Sequence, residues 1–236
     1  MTRILKQEKH VQELLLKAVQ NGQQALSEYD SKQVVAAAHV PITREMLVHS
    51  RQEAMEQAAR IGFPVVLKGS SHALTHKTEM GMVRVNLKNA EDVARAYDEL
   101  TGKGIDLDGI LVQDMVKGNR EFVIGLTRDP QFGPCVMFGI GGIFTEALKD
   151  VSFRVAPLTE DDAREMIREV RAVKLLDAFR GESAVDQDVL IHALVGIGNL
   201  GMAHDDIAEI DINPLIVTEG KPVAVDALVI LSQKVQ

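Results

Sequence analysis

Tryptophan is absent from the chain, cysteine occurs once, at Cys135, and only 4% of the residues are aromatic. A lone cysteine rules out an internal disulfide and a cysteine-rich metal centre. So few aromatic rings leave no stacking platform for single-stranded nucleobases. Basic residues are outnumbered, 26 Lys and Arg against 34 Asp and Glu, which gives a formal charge of −8. A nucleic-acid partner needs a basic patch, and the basic residues here come in isolated pairs. No stretch approaches the roughly 20 apolar residues of a membrane span. The longest apolar-rich run, residues 189–203, is broken by His192 and Asn199. The opening residues MTRILKQEKH lack the apolar centre of a secretory signal. The expectation is a cytoplasmic protein that binds neither nucleic acid nor membrane.

What is present is ordinary globular material: 236 residues, 46% apolar and 25% charged, enough for one large core or two smaller ones. Val11, Leu14, Leu15 and Ala18 recur at helical spacing and predict a helix over about 9–21, closed by Asn21-Gly22. A second helix follows Ser27. Ser50-x-x-Glu53 reads as a capping box opening a third, which ends at Ile61-Gly62. FPVVLKG is a β-branched run bounded by Pro and Gly, and so a buried strand; GMVRVNL alternates and reads as its partner. Further strands are expected at GILVQDM, EFVIGLTRD and CVMFG, and helices around residues 93–100, 160–170 and 188–203. At the C-terminal end, IAEIDI, PLIVTEG and KPVAVDALVI read as a strand, a hairpin turned by Asn213-Pro214, and a last strand. Strands and helices mix without strict alternation, which predicts an α+β (mixed α/β) fold. A weak boundary falls near residues 112–120.

Four stretches carry chemistry. Lys68 ends the PVVLK strand. A buried ammonium is costly unless it meets an anion, although a strand-end lysine can also snorkel to solvent. His76 stands in the polar stretch LTHKTEMGM, where an imidazole can act as base, nucleophile or ligand, or do nothing. FGIGG, residues 138–142, places three glycines after a strand; such a loop can present N–H groups to phosphate or simply turn the chain. Glu209, Asp211 and Asn213 alternate along one strand and therefore share a face. Asp and Asn are depleted in strands, so three oxygen-bearing side chains there point to a hard cation such as Mg²⁺ shared with phosphate. Asp226, read on the next strand, can return alongside.

Taken together and in order, LSEYDSKQVVAAAHVPI, GFPVVLKGSSHALTHKTEMGMVRVNL, EFVIGLTRDPQFGPCVMFGIGGIFTEALKDVSFRVAPL and EIDINPLIV with AVDAL resemble one family. It is the β subunit of ADP-forming acetyl-CoA synthetase, or NDP-forming acyl-CoA synthetase, an ATP-grasp protein related to the succinyl-CoA synthetase β subunit. The resemblance runs from about residue 26 to 231. It implies an ATP-grasp fold whose two lobes clamp the nucleotide: a helical extension over 1–25, a lobe with the phosphohistidine loop over 26–112, and a lobe with the nucleotide and Mg²⁺ site over 113–236. It implies an acid–CoA ligase acting in acyl-CoA + ADP + Pi = acid + CoA + ATP. A CoA-binding α subunit carrying its own phosphohistidine is the implied partner, in an α2β2 assembly.

The family motif H-K-[ST]-[DE]-x-G is met by His76 to Gly81, so the resemblance makes His76 the phosphoryl carrier. By position it makes Lys68 the lysine on the ATP or ADP phosphates and the segment from Gln113 through Met115 to Val116 the hinge against adenine. Glu121 falls on the ribose, Asn213 and Asp226 on Mg²⁺, and Asp211 beneath the incoming phosphohistidine. Gly141, Gly142 and Glu146 fall on the glycine loop and the acid after it. Met82, where a second glycine is common, and Ala178, in a G-x-R-G stretch, depart from the pattern. Two other readings compete. A nucleotide-sensing module without catalysis would have lost His76 or the Mg²⁺ ligands, and an ATP-grasp carboxylate–amine ligase has no use for a loop histidine.

Overall fold

Two sets of apolar positions close two separate cores. The computed structural model describes residues 2–72, 80–141, 150–178 and 181–232, with the backbone alone for 2–6. The chain divides into a smaller unit, Ser27–Tyr29 with Thr43–Val116, and a larger one, Met1–Leu26, Asp30–Ile42 and Lys117–Gln236.

The smaller unit is a four-stranded antiparallel sheet backed by two helices. Its strands are β1 (Glu45–Val48), β2 (Val65–Ser70), β3 (Val83–Leu87) and β4 (Gly109–Asp114), in the order β1-β4-β2-β3. Helix α3 (Arg51–Ile61) begins where the Ser50 hydroxyl accepts from the Glu53 N–H at 3.2 Å. The returning Glu53 carboxylate accepts from the His49 N–H, one residue earlier than a capping box requires. Helix α4 (Ala90–Thr101) is capped by Asn89 and turns Val93, Ala96 and Leu100 inward at i, i+3 and i+7. These meet Val65, Leu67, Ile110 and Val112 from one face of the sheet.

In the larger unit, helix α1 (Thr2–Gln20) and helix α2 (Glu28–Ala37), whose first residues count with the smaller unit, contribute Val11, Leu15, Val34 and Val35 to the core. The sheet holds β5 (Glu121–Asp129), β6 (Gly133–Ile140), β7 (Val151–Val155), β8 (Ile207–Thr218), β9 (Lys221–Ala224) and β10 (Leu228–Leu231). Its order is β10-β8-β5-β6-β7, with β9 paired to β8 and every pairing antiparallel. Helices α5 (Glu160–Glu169) and α6 (Gln187–Ala203) cover the face that carries Phe122, Ile124, Leu126, Val136 and Phe138. The rings of Phe122 and Phe138 stack at 5.7 Å. Gly196 lets α6 touch the end of α2, since a Cβ there would lie 2.1 Å from the Ala38 carbonyl. Among the described residues no helix is long and apolar enough to cross a membrane.

The C-terminal strands depart from the sequence expectation. Asn213-Pro214 does not turn the chain: β8 runs through it as one twelve-residue strand. The register against β5 shifts between Phe122 and Ile124, which pair with Leu215 and Ile212, so β8 carries one extra residue there. A bulge lets Ile212 and Leu215 both face the core while the chain continues. The expected last strand is likewise two strands, β9 and β10, and Asp226 stands in the connection between them rather than on a strand.

Candidate active-site residues

In the smaller unit every residue of β2 is buried, on both faces. Val65 and Leu67 enter the core. Alternation therefore puts Val66, Lys68 and Ser70 together on the opposite face. Lys68 is mid-strand, not at the strand end as the sequence implied, because β2 continues to Ser70. Its Nζ lies 2.7 Å from Oε1 of Glu28, and the two side chains are 9% and 1% exposed. A buried ammonium requires such a partner. Glu28 begins α2, where the helix dipole also favours a carboxylate. The local sequence around Glu28 carries no signal of this role, since its partner is 40 residues away.

On the same face, β4 presents Leu111 across from Lys68 and Gln113 across from Val66. Gln113 is 1% exposed. Beyond it, the Met115 N–H donates to the Pro64 carbonyl at 3.3 Å as the chain leaves the sheet, and Met115 and Val116 are half-buried. Thr43 donates to the Glu45 carboxylate at 2.7 Å, and Glu45 pairs with Gln113 in the sheet.

His76 lies outside the described residues, as do Gly142 and Glu146. The residues flanking the His76 segment are tied down on both sides. The His72 N–H donates to Asp108 at 3.1 Å. Lys103 donates to the Met80 carbonyl at 3.1 Å, and Arg84 to the Gly81 carbonyl at 2.9 Å. Met82 is fully buried in the smaller core, and its carbonyl accepts from the Gly69 N–H. The departure from glycine at this position therefore buries a side chain where glycine would leave none.

In the larger unit a second group of candidate residues lies on the face of β8 turned away from Ile210 and Ile212. Glu209 and Asn213 are exposed there, with Asp211 between them half-buried. β10 runs beside them, with Leu228 opposite Asp211, and two residues earlier comes Asp226, whose Oδ1 accepts from the Ala227 N–H. The Asp211 carboxyl is pushed up to about 6 by burial, then by the charges of Glu209 and Asp226. The Glu209 and Asp226 charges thus act on Asp211, and Asn213 follows two residues further along β8.

No three His, Cys, Asp or Glu among the described residues are arranged to hold a metal by themselves. A crowd of carboxylates with one amide oxygen nevertheless fits a hard cation that keeps waters and phosphate oxygens for the rest of its shell. Gly141 serves differently from a free phosphate donor. Its N–H is spent on the Glu121 carbonyl at 2.7 Å. A Cβ on it would lie 2.9 Å from the backbone of Glu121 and Phe122. The glycine is there so that this strand end and Glu121 can meet. Just before Glu121, Arg120 is 5% exposed and donates to Glu182 and to the carbonyls of Leu175, Asp177 and Ser183. Sequence reasoning missed this clamp because its acceptors are mostly backbone.

Residues 17–231 match the model of the ATP-grasp domain. Over 212 residues the chain is 41% identical to the subunit beta of acetate–CoA ligase [ADP-forming] I from Pyrococcus furiosus, which covers 87% of this chain and 91% of that protein. The dinucleotide forming acetyl-coenzyme A synthetase 1 of Ca. Korarchaeum cryptofilum, in complex with coenzyme A, Ca-AMPCP and HgCl+, is 45% identical. It matches with a TM-score of 0.89 over 93% of this chain and 99% of that one. Another structure of that synthetase, with coenzyme A and Mg-AMPPCP and its phosphohistidine segment pointing towards the nucleotide binding site, is also 45% identical. There the TM-score is 0.84, with 94% and 100% covered. The chain belongs to the ATP-grasp family and, within it, to the β subunits of the ADP-forming acetate–CoA ligases. It is a ligase subunit.

Proposed function

We propose that this chain is the nucleotide-binding catalytic subunit of an ADP-forming acyl-CoA synthetase, and that His76 carries a phosphoryl group from an α-subunit phosphohistidine to ADP. The observation that carries the reading is the buried Lys68, held by Glu28 on the strand that leads directly into the HKTEMG motif. The Korarchaeum synthetase, with its phosphohistidine segment and bound nucleotide analogue, supports the same assignment.

In the transfer, a β-phosphate oxygen of ADP attacks the phosphorus on the His76 ring. The N–P bond breaks, its electron pair returns to the ring nitrogen, and ATP forms. Such transfers need positioning and charge neutralisation more than covalent assistance from the protein. Lys68 supplies a cation to the phosphates. Gln113, Met115 and Val116 line the adenine and Glu121 accepts from the ribose. Gly141 sets the approach of the strand that bears Glu121, and the residue after it, Gly142, offers the loop's N–H. Asn213 and Asp226 would hold Mg²⁺, which when bound neutralises phosphate charge. Asp211, with a carboxyl near 6, accepts a hydrogen bond from the incoming imidazole and can take up or return its proton near neutral pH.

The partner is a CoA-binding α subunit with a phosphohistidine of its own, in an α2β2 assembly in the cytoplasm. The test is His76→Ala assayed with that partner. Synthetase turnover should vanish while ATP binding persists. Full synthetase activity in the variant would remove the carrier role.

A further inference from the structure

Ser70 is the last residue of β2 and is 1% exposed. Its hydroxyl is buried and has no hydrogen-bond partner among the described residues. Buried hydroxyls are satisfied in the great majority of cases, and leaving one unmade is costly. Alanine or valine would fill the same site without that cost. The Ser70 carbonyl is already used: it accepts from the Asp108 N–H at 2.8 Å. Across the ladder stands Gly109, which has no side chain to offer the hydroxyl. Along the strand the neighbours on its face are Val66 and Lys68. Among the described residues nothing supplies this hydroxyl with an acceptor.

We infer that the Ser70 hydroxyl donates to a phosphate oxygen of the bound nucleoside di- or triphosphate, making it a binding residue beside Lys68. This rests on the nucleotide reading above. Residues two apart on a strand stand about 7 Å apart on one face, so the long ammonium of Lys68 and the short hydroxyl of Ser70 can converge on one polyphosphate. The chemistry is complementary: Lys68 has donors already shared with Glu28, whereas Ser70 has a donor that is unspent. A hydroxyl supplies direction without adding charge to a face that already holds an ion pair.

The test compares the full 236-residue chain with Ser70→Ala, titrated calorimetrically with ADP, AMP and adenosine in Mg²⁺ buffer, and records the ligand-free melting temperature. A hydrogen bond to a charged phosphate predicts ADP binding weakened about ten-fold or more. Adenosine affinity should be unchanged, and the ligand-free melting temperature equal or higher, because an orphaned hydroxyl is gone. Equal ADP affinity in the two proteins overturns the assignment, as does an equal loss for adenosine. A wild-type chain that binds none of the three ligands overturns the nucleotide reading and the Ser70 assignment with it. Binding by wild type without a Ser70 effect removes the assignment alone.

Discussion

The two units solve the problem of buried charge in opposite ways. Around Lys68 the charge is compensated: one cation and one carboxylate at 2.7 Å, both almost inaccessible. Around Asp211 it is not: Glu209 and Asp226 add negative charge to a carboxyl that burial already disfavours. The first arrangement pre-orients a donor and costs little further to keep. The second holds strain that a cation or a proton relieves. The chain builds each kind of surface on its own sheet.

The largest effect expected is from breaking the compensated side. Lys68→Met removes the ammonium that lies 2.7 Å from the buried Glu28 carboxylate and should destabilise the protein by about 3–5 kcal/mol in urea unfolding. Adding Glu28→Leu should restore most of that stability and none of the synthetase activity. Recovery of activity in the double variant would separate Lys68 from the chemistry.

The opposite sign is expected on the uncompensated side. Asp211 has a folded-state pKa near 6 against an ordinary 3.8, so the folded protein keeps this proton longer than the unfolded chain does. Its contribution is fully present below about pH 4 and is lost as pH rises through 6. Without metal, the wild type should lose roughly 2–3 kcal/mol from this group across that window. Asp211→Asn should not show that loss, and at pH 7.5 should be the more stable protein in chemical denaturation while losing turnover. A variant less stable than wild type at pH 7.5 would mean that the carboxylates are not in conflict.

Gly141→Ala pushes a methyl against the Glu121 and Phe122 backbone. It should cost about 1–3 kcal/mol, with nucleotide affinity falling as Glu121 is displaced. Thermal melts with and without ADP check both. The smallest effect is expected from Asp108→Asn at the foot of the His76 segment. The side chain there is 44% exposed, and the stability change should stay within about 0.5 kcal/mol. A larger change would mean that the tie to His72 carries more of the small lobe than its exposure implies.

Much of this was legible in the sequence because it is local. The strands at Val65, Val83, Gly109 and Glu121 and the helices capped at Ser50, Asn89 and Thr159 follow from periodicity and capping over a few residues. The face shared by Glu209, Asp211 and Asn213 follows from strand alternation alone. Glu28 did not, because its reason for burial is 40 residues away on another element. The passage of β8 through Asn213-Pro214 did not either: an Asn-Pro step reads locally as a turn, and only pairing with β5 and β9 on either side keeps the chain extended. Gly141 read as a phosphate donor because three glycines within four residues after a strand invite that reading. The close approach of Glu121 that uses its N–H is a tertiary contact.

The central claim is that an imidazole at position 76 accepts and delivers phosphate, and labelling tests it most directly. Incubation with [γ-³²P]ATP and Mg²⁺, followed by peptide mapping, should place one acid-labile, base-stable phosphate on His76, and chasing with ADP should discharge it as ATP. A chain that binds ATP with ordinary affinity, yet forms no such adduct or forms it elsewhere, would contradict the account.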